Sequence, residues 1–487
     1  MLSTDFDRRH RFVYDAKPLP IRFLNKILSS HLFVFVIAAL ACLAFTFSRE
    51  FEFYVFVIVY GLYIGLFADD LSPLMPLFPI CYVVPSYKNN PGITTESVFY
   101  GKSGTFLLIF VLAAVTLIFI RIFSDGNMGV KKLLFRGRFL NFGILLLGAS
   151  YMLSGILWSG YAEYAKKNLI FASLQFLSVF LLYFIFTATV DWNKFKVSYF
   201  VCIGIAIGLV VSYELLWLYA KGGVIDDGSI NRAMIQTGWG ICNNIGAMIA
   251  IAIPFPFYFA AKKLFPLPWM ALGVAFFACA LLSGSRTASL FSIVIFLISY
   301  AVLMFTARNK VSVYVFTVLL GIAAAVLMIK YHEFVFNLFK EIPKIYEMVD
   351  GDVSFNDSNR IEMYKQGFEI FKNEPILGQT FYPSYDIYDA ATLDSFSSFF
   401  PPRWHNTIIQ LLVSCGAVGL GAYAIHRIST VFVLVKRKNY VNVTLGLSIL
   451  ALVLMSLLDC HFFNIGPTLF YSMMLAVAEF GQENNEL

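Results

Sequence analysis

Long apolar runs separated by short polar segments dominate the chain. A helix that crosses a bilayer needs about 20 mostly apolar residues, and many of these runs approach that length. We predict candidate spans at 31–47, 51–67, 71–85, 104–123, 139–159, 168–187, 198–220, 241–261, 265–283, 287–306, 311–329, 406–425, 443–459 and 465–480. The 71–85 run contains Pro73, Pro76 and Pro79 and could instead be re-entrant. The pattern therefore predicts roughly 12–14 transmembrane helices.

Composition supports the same fold class. Of 487 residues, 59% are hydrophobic and 14% are charged, and the mean hydropathy is +0.74. These values exclude a set of soluble domains and predict an all-α, polytopic integral membrane protein with one long extracytoplasmic loop that contains amphipathic helices. The seven cysteines show no metal-ligand spacing, so we predict no metal site and no cofactor. The net charge of +6 comes from short basic loops and does not indicate a nucleic-acid partner.

Basic residues fall on alternate connections between the predicted spans. They lie in 1–30, in 121–138, and in the connections that contain Lys194 and Lys196, Lys262 and Lys263, Arg308 and Lys310, and Arg427, Lys436, Arg437 and Lys438. The positive-inside rule makes this side cytoplasmic. Both termini are then cytoplasmic, and the connections 86–103, 221–240, 284–286 and 330–405 face outward.

The chain therefore divides into five predicted parts. They are a cytoplasmic N-terminal segment (1–30), a transmembrane helix bundle (31–329), an extracytoplasmic loop (330–405), C-terminal transmembrane helices (406–480) and a cytoplasmic tail (481–487).

The 330–405 loop has the periodicity of amphipathic helices. Ile361, Tyr364, Phe368 and Phe371 recur every three or four residues with charged residues between them, and 333–349 has a similar pattern. Such helices would lie along the outer membrane surface, under or beside a lipid substrate. The alternative is a packed extracellular cap without chemistry, because periodicity alone does not separate the two.

Four polar residues on the predicted outer face are candidates for chemistry: Arg232, Arg286, Arg360 and His405. Helices that begin near 241, 287 and 406 would all point their N-termini outward, where free N–H groups and the helix dipole favour anions. Arginine adds planar, bidentate contacts to phosphate oxygens, so the set suits a pyrophosphate. His405 is the candidate general base. Taken singly, each arginine could be an interfacial anchor, and the histidine could simply be hydrogen-bonded.

Secondary candidates are weaker. Asp459 opens an outer turn with Cys460 and His461 and is an acid/base candidate. Asn244, with its neighbour Asn243, could cap a helix or contact a glycan. Glu214 lies within a predicted span and could be functional or could snorkel to the boundary. Asp350-Gly351-Asp352 resembles a metal motif of nucleotide-sugar enzymes, but these enzymes use cytosolic donors, and we favour a solvated turn.

Four motifs in a fixed order resemble the bacterial O-antigen ligase and O-antigen polymerase superfamily. They are Arg232 before Asn243-Asn244-Ile245-Gly246, the turn Ser283-Gly284-Ser285-Arg286, Arg360 opening a helix followed by Pro375 and Gly378, and His405-Asn406 followed by Gly416 and Gly419. The resemblance covers about 230–420. The family often has tryptophan where Tyr364 stands here, which affects the expected packing more than the expected chemistry.

The resemblance implies a metal-independent, inverting integral-membrane glycosyltransferase in the bacterial cytoplasmic membrane. The donor would be a glycan on undecaprenyl pyrophosphate, used at the outer face, with a glycan or lipid as acceptor and a chain-length regulator as a possible partner. By resemblance, Arg232, Arg286 and Arg360 would bind the pyrophosphate, Arg286 would also offset leaving-group charge, and His405 would activate the acceptor hydroxyl. Asn406, Asn244, Tyr364 and Asp459 are the secondary site residues.

Three functions remain open at this point. A polymerase would join the glycan to another lipid-linked repeat unit, whereas a ligase would join it to a lipid or other carrier. We favour the polymerase as the broader class. A transporter or flippase for lipid-linked glycans usually places charges near the bilayer midplane and often has two related halves. Here the candidate residues lie at the outer rim, and Glu214 is the main ionisable residue within a span.

Overall fold

The computed structural model of the chain describes residues 18–83, 116, 139–157, 162–222, 224–226, 229–237, 240–332, 359–381, 403–437 and 439–483. Almost all of these residues are helical, which confirms the predicted all-α membrane fold. The first helices are α1 (Leu19–Leu28), α2 (His31–Phe47), α3 (Glu50–Phe67), α4 (Leu77–Val83), α5 (Asn141–Leu157), α6 (Ala162–Thr189) and α7 (Val197–Lys221).

Two short hairpins follow α7 and connect it to the next helix. Strands β1 (Ile225–Asp226) and β2 (Ser229–Ile230) are antiparallel, as are β3 (Gln236–Thr237) and β4 (Gly240–Ile241). The remaining helices are α8 (Cys242–Ala252), α9 (Pro254–Lys262), α10 (Leu267–Leu282), α11 (Arg286–Thr306), α12 (Lys310–Lys330), α13 (Asn359–Asn373), α14 (Thr407–Lys436), α15 (Tyr440–Leu458) and α16 (Ile465–Phe480).

Eight helical stretches among the described residues are long and apolar enough to cross a membrane, and α1 with α2, bent by 68°, would make a ninth. Three shorter apolar helices, in α5, α10 and α16, match further predicted spans. In its described part, the 71–85 run forms a 3-10 turn at Ser72–Leu74 and helix α4, and it is not one continuous helix from residue 71. The predicted span 104–123 lies outside the described residues, and the total of 12–14 stays a prediction.

Helix α8 lies in the middle of the bundle. Every side chain of α8 except Asn244 is buried, and the helix packs on α7, α10, α11 and α15. The close approach to α11 depends on a glycine: a Cβ on Gly246 would lie 2.6 Å from Ser283 Oγ. Small residues let membrane helices approach in this way. The turn that contains Ser283 is therefore held against the start of α8.

Among the described residues, the basic connections that contain Lys262 and Arg437 meet at one end of the bundle. Lys262 Nζ lies 2.7 Å from Glu483 Oε1, and Arg437 Nη1 donates to the carbonyl oxygen of Gly481 at 3.1 Å. The Tyr440 amide donates to Glu483 Oε2 at 2.9 Å. We call this the basic end. Its cytoplasmic location stays a prediction.

Arg427 does not lie in a cytoplasmic connection, so that part of the prediction is wrong. Helix α14 continues through Lys436 instead of ending near 425. The Arg427 guanidinium carbon lies 4.7, 4.3 and 5.0 Å from the ring centres of Tyr423, Phe462 and Tyr471, and Nη1 donates to the Tyr471 hydroxyl at 3.2 Å. The negative faces of these rings offset the charge of the guanidinium within the bundle.

Helix α14 is interrupted at Gly416, whose φ of 62° and ψ of −158° are not helical. The segment after α13 inserts at this point. The amides of Ala417 and Val418 donate to the carbonyl oxygens of Pro375 and Ile376 at 2.9 and 3.1 Å. Because a bilayer offers no water to free backbone groups, a broken helix needs such partners. The described segment after α13 is thereby anchored inside the helix bundle.

Glycine is required on both sides of this insertion. Gly378 has φ +71°, and a Cβ there would lie 2.5 Å from the Cys415 nitrogen and 2.6 Å from the Gly416 nitrogen. A Cβ on Gly416 would likewise lie 2.5 Å from the Gly378 nitrogen. These neighbours are backbone atoms, which cannot rotate away as a side chain can.

We predict that Gly416→Ala destabilises the protein by at least about 1–3 kcal/mol, the usual cost of a backbone conformation that only glycine tolerates. The matched control is Gly421→Ala on the same helix, where a Cβ meets nothing within 4 Å. The control should be neutral or stabilising by up to about 1 kcal/mol, because alanine favours helix. Thermal unfolding of both purified variants in detergent measures the difference. Equal stability of the two variants would contradict the described insertion.

Candidate functional site

Polar side chains from four separate segments meet at the end of the bundle opposite the basic end. We call Arg232, Asn243, His405, Asp459 and His461 the Asp459 cluster, and this end of the bundle the cluster end. Helices α8, α11 and α14 begin there and α15 ends there. The structure thus brings together segments that the sequence places up to about 220 residues apart.

Asp459 is the centre of the cluster. Its side chain is 6% exposed, and Oδ1 lies 3.4 Å from His405 Nδ1. Oδ2 accepts from Asn243 Nδ2 at 3.2 Å and lies 3.9 Å from His461 Nε2. Oδ1 also accepts from the Cys460 amide at 2.7 Å. A buried carboxylate with this many donors is stabilised in its charged form.

The electrostatics of the cluster follow from burial and these contacts. Burial raises the pKa of Asp459, but His461 and the contact with His405 lower it more, so the pKa lies well below its usual range. Burial lowers the pKa of His461, and the Asp459 charge only partly offsets this. Burial, together with the Asp459 charge, raises the pKa of the Cys460 thiol to about 12, which leaves that thiol protonated and unreactive at neutral pH. Asp459 is therefore the fixed negative charge of the cluster.

His405 is held by backbone and side chain together. Its φ of 48° is unusual for a residue other than glycine, and its carbonyl oxygen accepts from the Tyr364 hydroxyl at 3.0 Å. The Nδ1 atom is buried beside Asp459, whereas the side chain as a whole is 31% exposed. The exposed part of the ring is therefore the part remote from Asp459. An imidazole oriented in this way can accept a proton at Nε2, as in Ser-His-Asp triads.

Of the three predicted arginines, Arg232 belongs to the cluster and Arg360 contacts the backbone next to it. Arg232 Nη2 donates to Asn243 Oδ1 at 3.5 Å, and its Nε is buried without a hydrogen-bond partner. Arg360, near the start of α13, donates from Nη1 to the carbonyl oxygen of Leu458 at 3.2 Å, directly before Asp459. Their charges lie at the same end of the bundle as the helix N-termini, as the sequence predicted.

Arg286 is the first residue of α11, directly after the helix cap. Ser285 Oγ accepts from the Ala288 amide at 3.3 Å and donates to Asn243 Oδ1 at 2.9 Å. This second bond joins the Ser283–Arg286 turn to the Asp459 cluster. Arg286 is half-buried, so its side chain is partly accessible at the cluster end.

Asn243 is the residue that sequence reasoning undervalued. Its amide connects Arg232, Ser285 and Asp459, whereas the sequence presented it only as a helix cap or glycan contact. Its neighbour Asn244 accepts from Asn464 Nδ2 at 3.0 Å. The signal was the Asn-Asn pair at the start of α8, but the partner at Asp459 was not visible in the sequence.

Asn406 has a structural role. Its Oδ1 accepts from the Ile408 and Ile409 amides at 2.8 and 3.2 Å, which caps α14, and its Nδ2 donates to the carbonyl oxygen of Leu457 at 2.9 Å. It therefore joins the start of α14 to the end of α15, on either side of His405 and Asp459.

Helix α13 packs on α14 through a face that differs from the predicted stripe. Met363, Gly367 and Ile370 are buried, whereas Ile361 and Phe368 are 47% and 46% exposed. Gly367 permits close contact, because a Cβ there would lie 2.7 Å from Ile409 and 3.0 Å from Trp404. The apolar residues of α13 thus form two faces, one packed and one exposed. The second predicted amphipathic segment, 333–349, lies outside the described residues.

The remaining candidates from the sequence are Glu214, Asp350 and Asp352. Glu214 is fully buried within α7 beside Thr237 of β3, so the snorkelling alternative is wrong. Asp350 and Asp352 fall outside the described residues. Within the described ranges, no group of three or more His, Cys, Asp or Glu side chains is placed to hold a metal ion.

We predict a pH-dependent contribution of Asp459 to stability. Because its pKa is lower in the folded than in the unfolded protein, the contribution is present above about pH 4, the unfolded value, and is lost as the pH falls further. Asp459→Asn should therefore be less stable than wild type at pH 7, and this difference should shrink on acidification. Thermal unfolding across pH measures it, with the exposed Asp69→Asn as control. A difference between Asp459→Asn and wild type that does not change with pH would contradict this assignment.

Comparison with known proteins adds an independent finding. The chain matches the family model described as O-antigen ligase over residues 271–424. The matched region begins in α10 and ends in α14, and it contains Arg286, Arg360 and His405. The comparison with curated proteins gives no match. The match supports the resemblance to the O-antigen ligase and O-antigen polymerase superfamily over that part of the chain.

Proposed function

We propose that this protein is a glycosyltransferase of the bacterial cytoplasmic membrane that polymerises glycan repeat units from an undecaprenyl-pyrophosphate donor at the outer face. One observation supports the proposal above all. A partly exposed histidine, oriented by a buried carboxylate, lies at the same end of the bundle as Arg232, Arg286 and Arg360. A base and several cations at one membrane boundary are what transfer from an anionic lipid carrier requires.

The chemical step balances with these groups alone. The acceptor hydroxyl gives its proton to Nε2 of His405 as its oxygen forms a bond to the anomeric carbon of the donor glycan. The bond between that carbon and the pyrophosphate oxygen breaks, and the electron pair leaves with the pyrophosphate. Attack opposite the leaving group inverts the anomeric centre. The charge of Asp459 stabilises the imidazolium that forms.

The arginines act on the leaving group. Charge develops on the bridging phosphate oxygen as the glycosidic bond breaks, and fixed cations stabilise that charge without rearranging. Arg286 also lies at the N-terminus of α11, where free backbone N–H groups favour an anion. The proposed reaction needs no metal ion, because guanidinium groups and a helix terminus take the role that a divalent cation has in other glycosyltransferases.

The experiment described below also tests two alternatives to a polymerase. A ligase would use the same donor and the same residues with a different acceptor, such as a lipid-linked core. A flippase would need its polar site near the bilayer midplane, whereas the Asp459 cluster lies at helix ends. The proposal includes no nucleic-acid partner. A separate chain-length regulator is compatible with it.

The third prediction concerns cells that lack the gene and express the wild-type protein, Arg286→Ala or His405→Ala from a plasmid. We predict that the variants change which glycan products accumulate. Surface glycan and lipid-linked intermediates are separated by size. Because both variants block transfer but not delivery of donor, single repeat units should accumulate on the carrier outside the membrane. Gly421→Ala is the matched control and should restore wild-type polymer.

Other outcomes of this experiment decide between the alternatives. Long polymer that is not attached to its final acceptor would show a ligase. Donor trapped on the cytoplasmic side would contradict the proposed reaction and show translocation.

We predict that Arg286 and His405 variants fail at different steps in a purified system. Arg286→Lys should lower the transfer rate by about tenfold or more, the effect of one lost interaction of about 1.4 kcal/mol, since lysine cannot bind phosphate bidentately. His405→Ala should bind lipid-linked donor normally but transfer at least about a hundredfold more slowly. Binding and single-turnover rates measure both effects. Near-normal rates for Arg286→Lys would contradict the pyrophosphate assignment, and lost donor binding in His405→Ala would make His405 a ligand.

A further inference from the structure

Helix α12 contacts the bundle along only part of its length. Near its start, Thr317 Oγ1 lies 2.8 Å from the Tyr300 hydroxyl of α11, and Val313 is its only buried residue. Every residue of 321–330 is exposed, and a Cβ on Gly321 would meet nothing within 4 Å. Over these ten residues, about 15 Å of helix, α12 stands apart from α10 and α11.

Among the described residues, the last half of α12 therefore diverges from α11, and we call the gap between the two helices the cleft. On α11, Leu297 lies one turn from Tyr300 on the same face, yet it is 60% exposed. On α12, Gly321 and Ala324 continue the face of Thr317 at spacings of four and seven residues. The walls of the cleft are apolar. The side chains of Gly321 and Ala324 on the α12 wall are too small to fill the gap between the two helices.

The side chains that line the cleft are cationic at the end where α11 begins and α12 ends. Helices α11 and α12 are antiparallel neighbours, so the start of α11 and the end of α12 lie at the same end of the bundle. Arg286 is the first residue of α11 and Lys330 is the last residue of α12. Through Ser285 and Asn243, the Arg286 end is also the cluster end. An apolar cleft with a cation at the end of each wall complements an amphiphile with an anionic head and a long apolar tail.

We propose that this cleft holds the polyisoprenoid tail of the lipid-linked donor. The inference rests on the proposed function, and it adds the path by which the donor reaches the Asp459 cluster. The donor has to leave its tail in the bilayer while its pyrophosphate lies beside Arg286. Helix α8 cannot line such a path, because it is buried between other helices. Because the α11 wall of the cleft runs back from Leu297 to Arg286, a tail in the cleft would lead its head group toward Arg286.

Photo-crosslinking tests the path directly. The full-length protein in phosphatidylcholine nanodiscs is labelled with a polyprenyl diphosphate that contains a diazirine in an isoprene unit near the head, and the labelled peptides are mapped. We expect labels within 318–330 and around Leu297, competed by unlabelled undecaprenyl diphosphate and reduced at least several-fold in Arg286→Ala. A diazirine-bearing phosphatidylcholine is the control for ordinary lipid and should not show the dependence on Arg286.

The outcomes separate this inference from the proposed function. Arg286-dependent labels on other helices would overturn the tail path and leave the donor assignment intact. No Arg286-dependent label anywhere would overturn the donor assignment itself. Equal labelling by the phosphatidylcholine probe, with the same competition, would show a general lipid groove, and a second copy of the chain cross-linked through α12 would show a protein interface. Either result overturns the tail path.

A matched pair of substitutions on α12 tests the effect on catalysis. Ala324→Trp fills the cleft, whereas Val326→Trp, about 200° away around the helix, places the same side chain toward lipid. We expect Ala324→Trp to raise the apparent KM for the long-chain donor about tenfold or more, and Val326→Trp to change it less than about twofold. The Ala324→Trp effect should be smaller with a donor shortened to two or three isoprene units. Equal KM values for the two variants would overturn the proposal.

Discussion

The rest of the structure depends on how the bundle satisfies the backbone of a broken membrane helix. A helix interrupted inside a bilayer exposes N–H and C=O groups that water cannot reach. At Gly416, the inserted segment that contains Pro375 and Gly378 accepts from the freed amides. These hydrogen bonds fix the segment 374–378 relative to α14. It also fixes α13, which ends directly before the insertion and begins beside the Asp459 cluster, where Arg360 and Tyr364 bind the backbone of Leu458 and His405.

The second organising feature is a single buried negative charge. Asp459 without partners would be expensive to bury, since an uncompensated carboxylate in a low-dielectric interior costs several kcal/mol, roughly. It is instead surrounded by Asn243, His405, His461 and the Cys460 amide. These partners come from α8, from the start of α14 and from the turn before α16. Because the buried carboxylate is stabilised only when all of these groups surround it, it also fixes their relative positions. The geometry of His405 is therefore determined by elements remote in sequence.

Sequence patterns predicted the fold class, most helices and the residues on one membrane face, because hydropathy and the placement of basic residues are local signals. They also identified Arg232, Arg286, Arg360 and His405 as residues that share one end of the bundle. They did not predict the bond from Asn243 to Asp459, which joins residues 216 positions apart, since no local pattern encodes that distance. The length of α14 was underestimated because Arg427 and Lys436 resemble a basic loop. Only the packed rings of Tyr423, Phe462 and Tyr471 explain how α14 continues through Arg427.

Charges within the bundle do not favour translocation once their surroundings are known. Arg427 is fixed by aromatic rings, and Glu214 is buried in α7 beside Thr237. A transporter usually places ionisable groups near the bilayer midplane, whereas His405, Asp459 and the three candidate arginines lie at the cluster end. At the cluster end, the two proposed substrates need different surroundings. The acceptor glycan arrives from water and needs the exposed part of His405, whereas the donor tail stays in the bilayer and needs an apolar path to Arg286. On the proposed function, the reaction takes place where α11 and α14 begin, because the base, the cations and the apolar cleft lie at that end of the bundle.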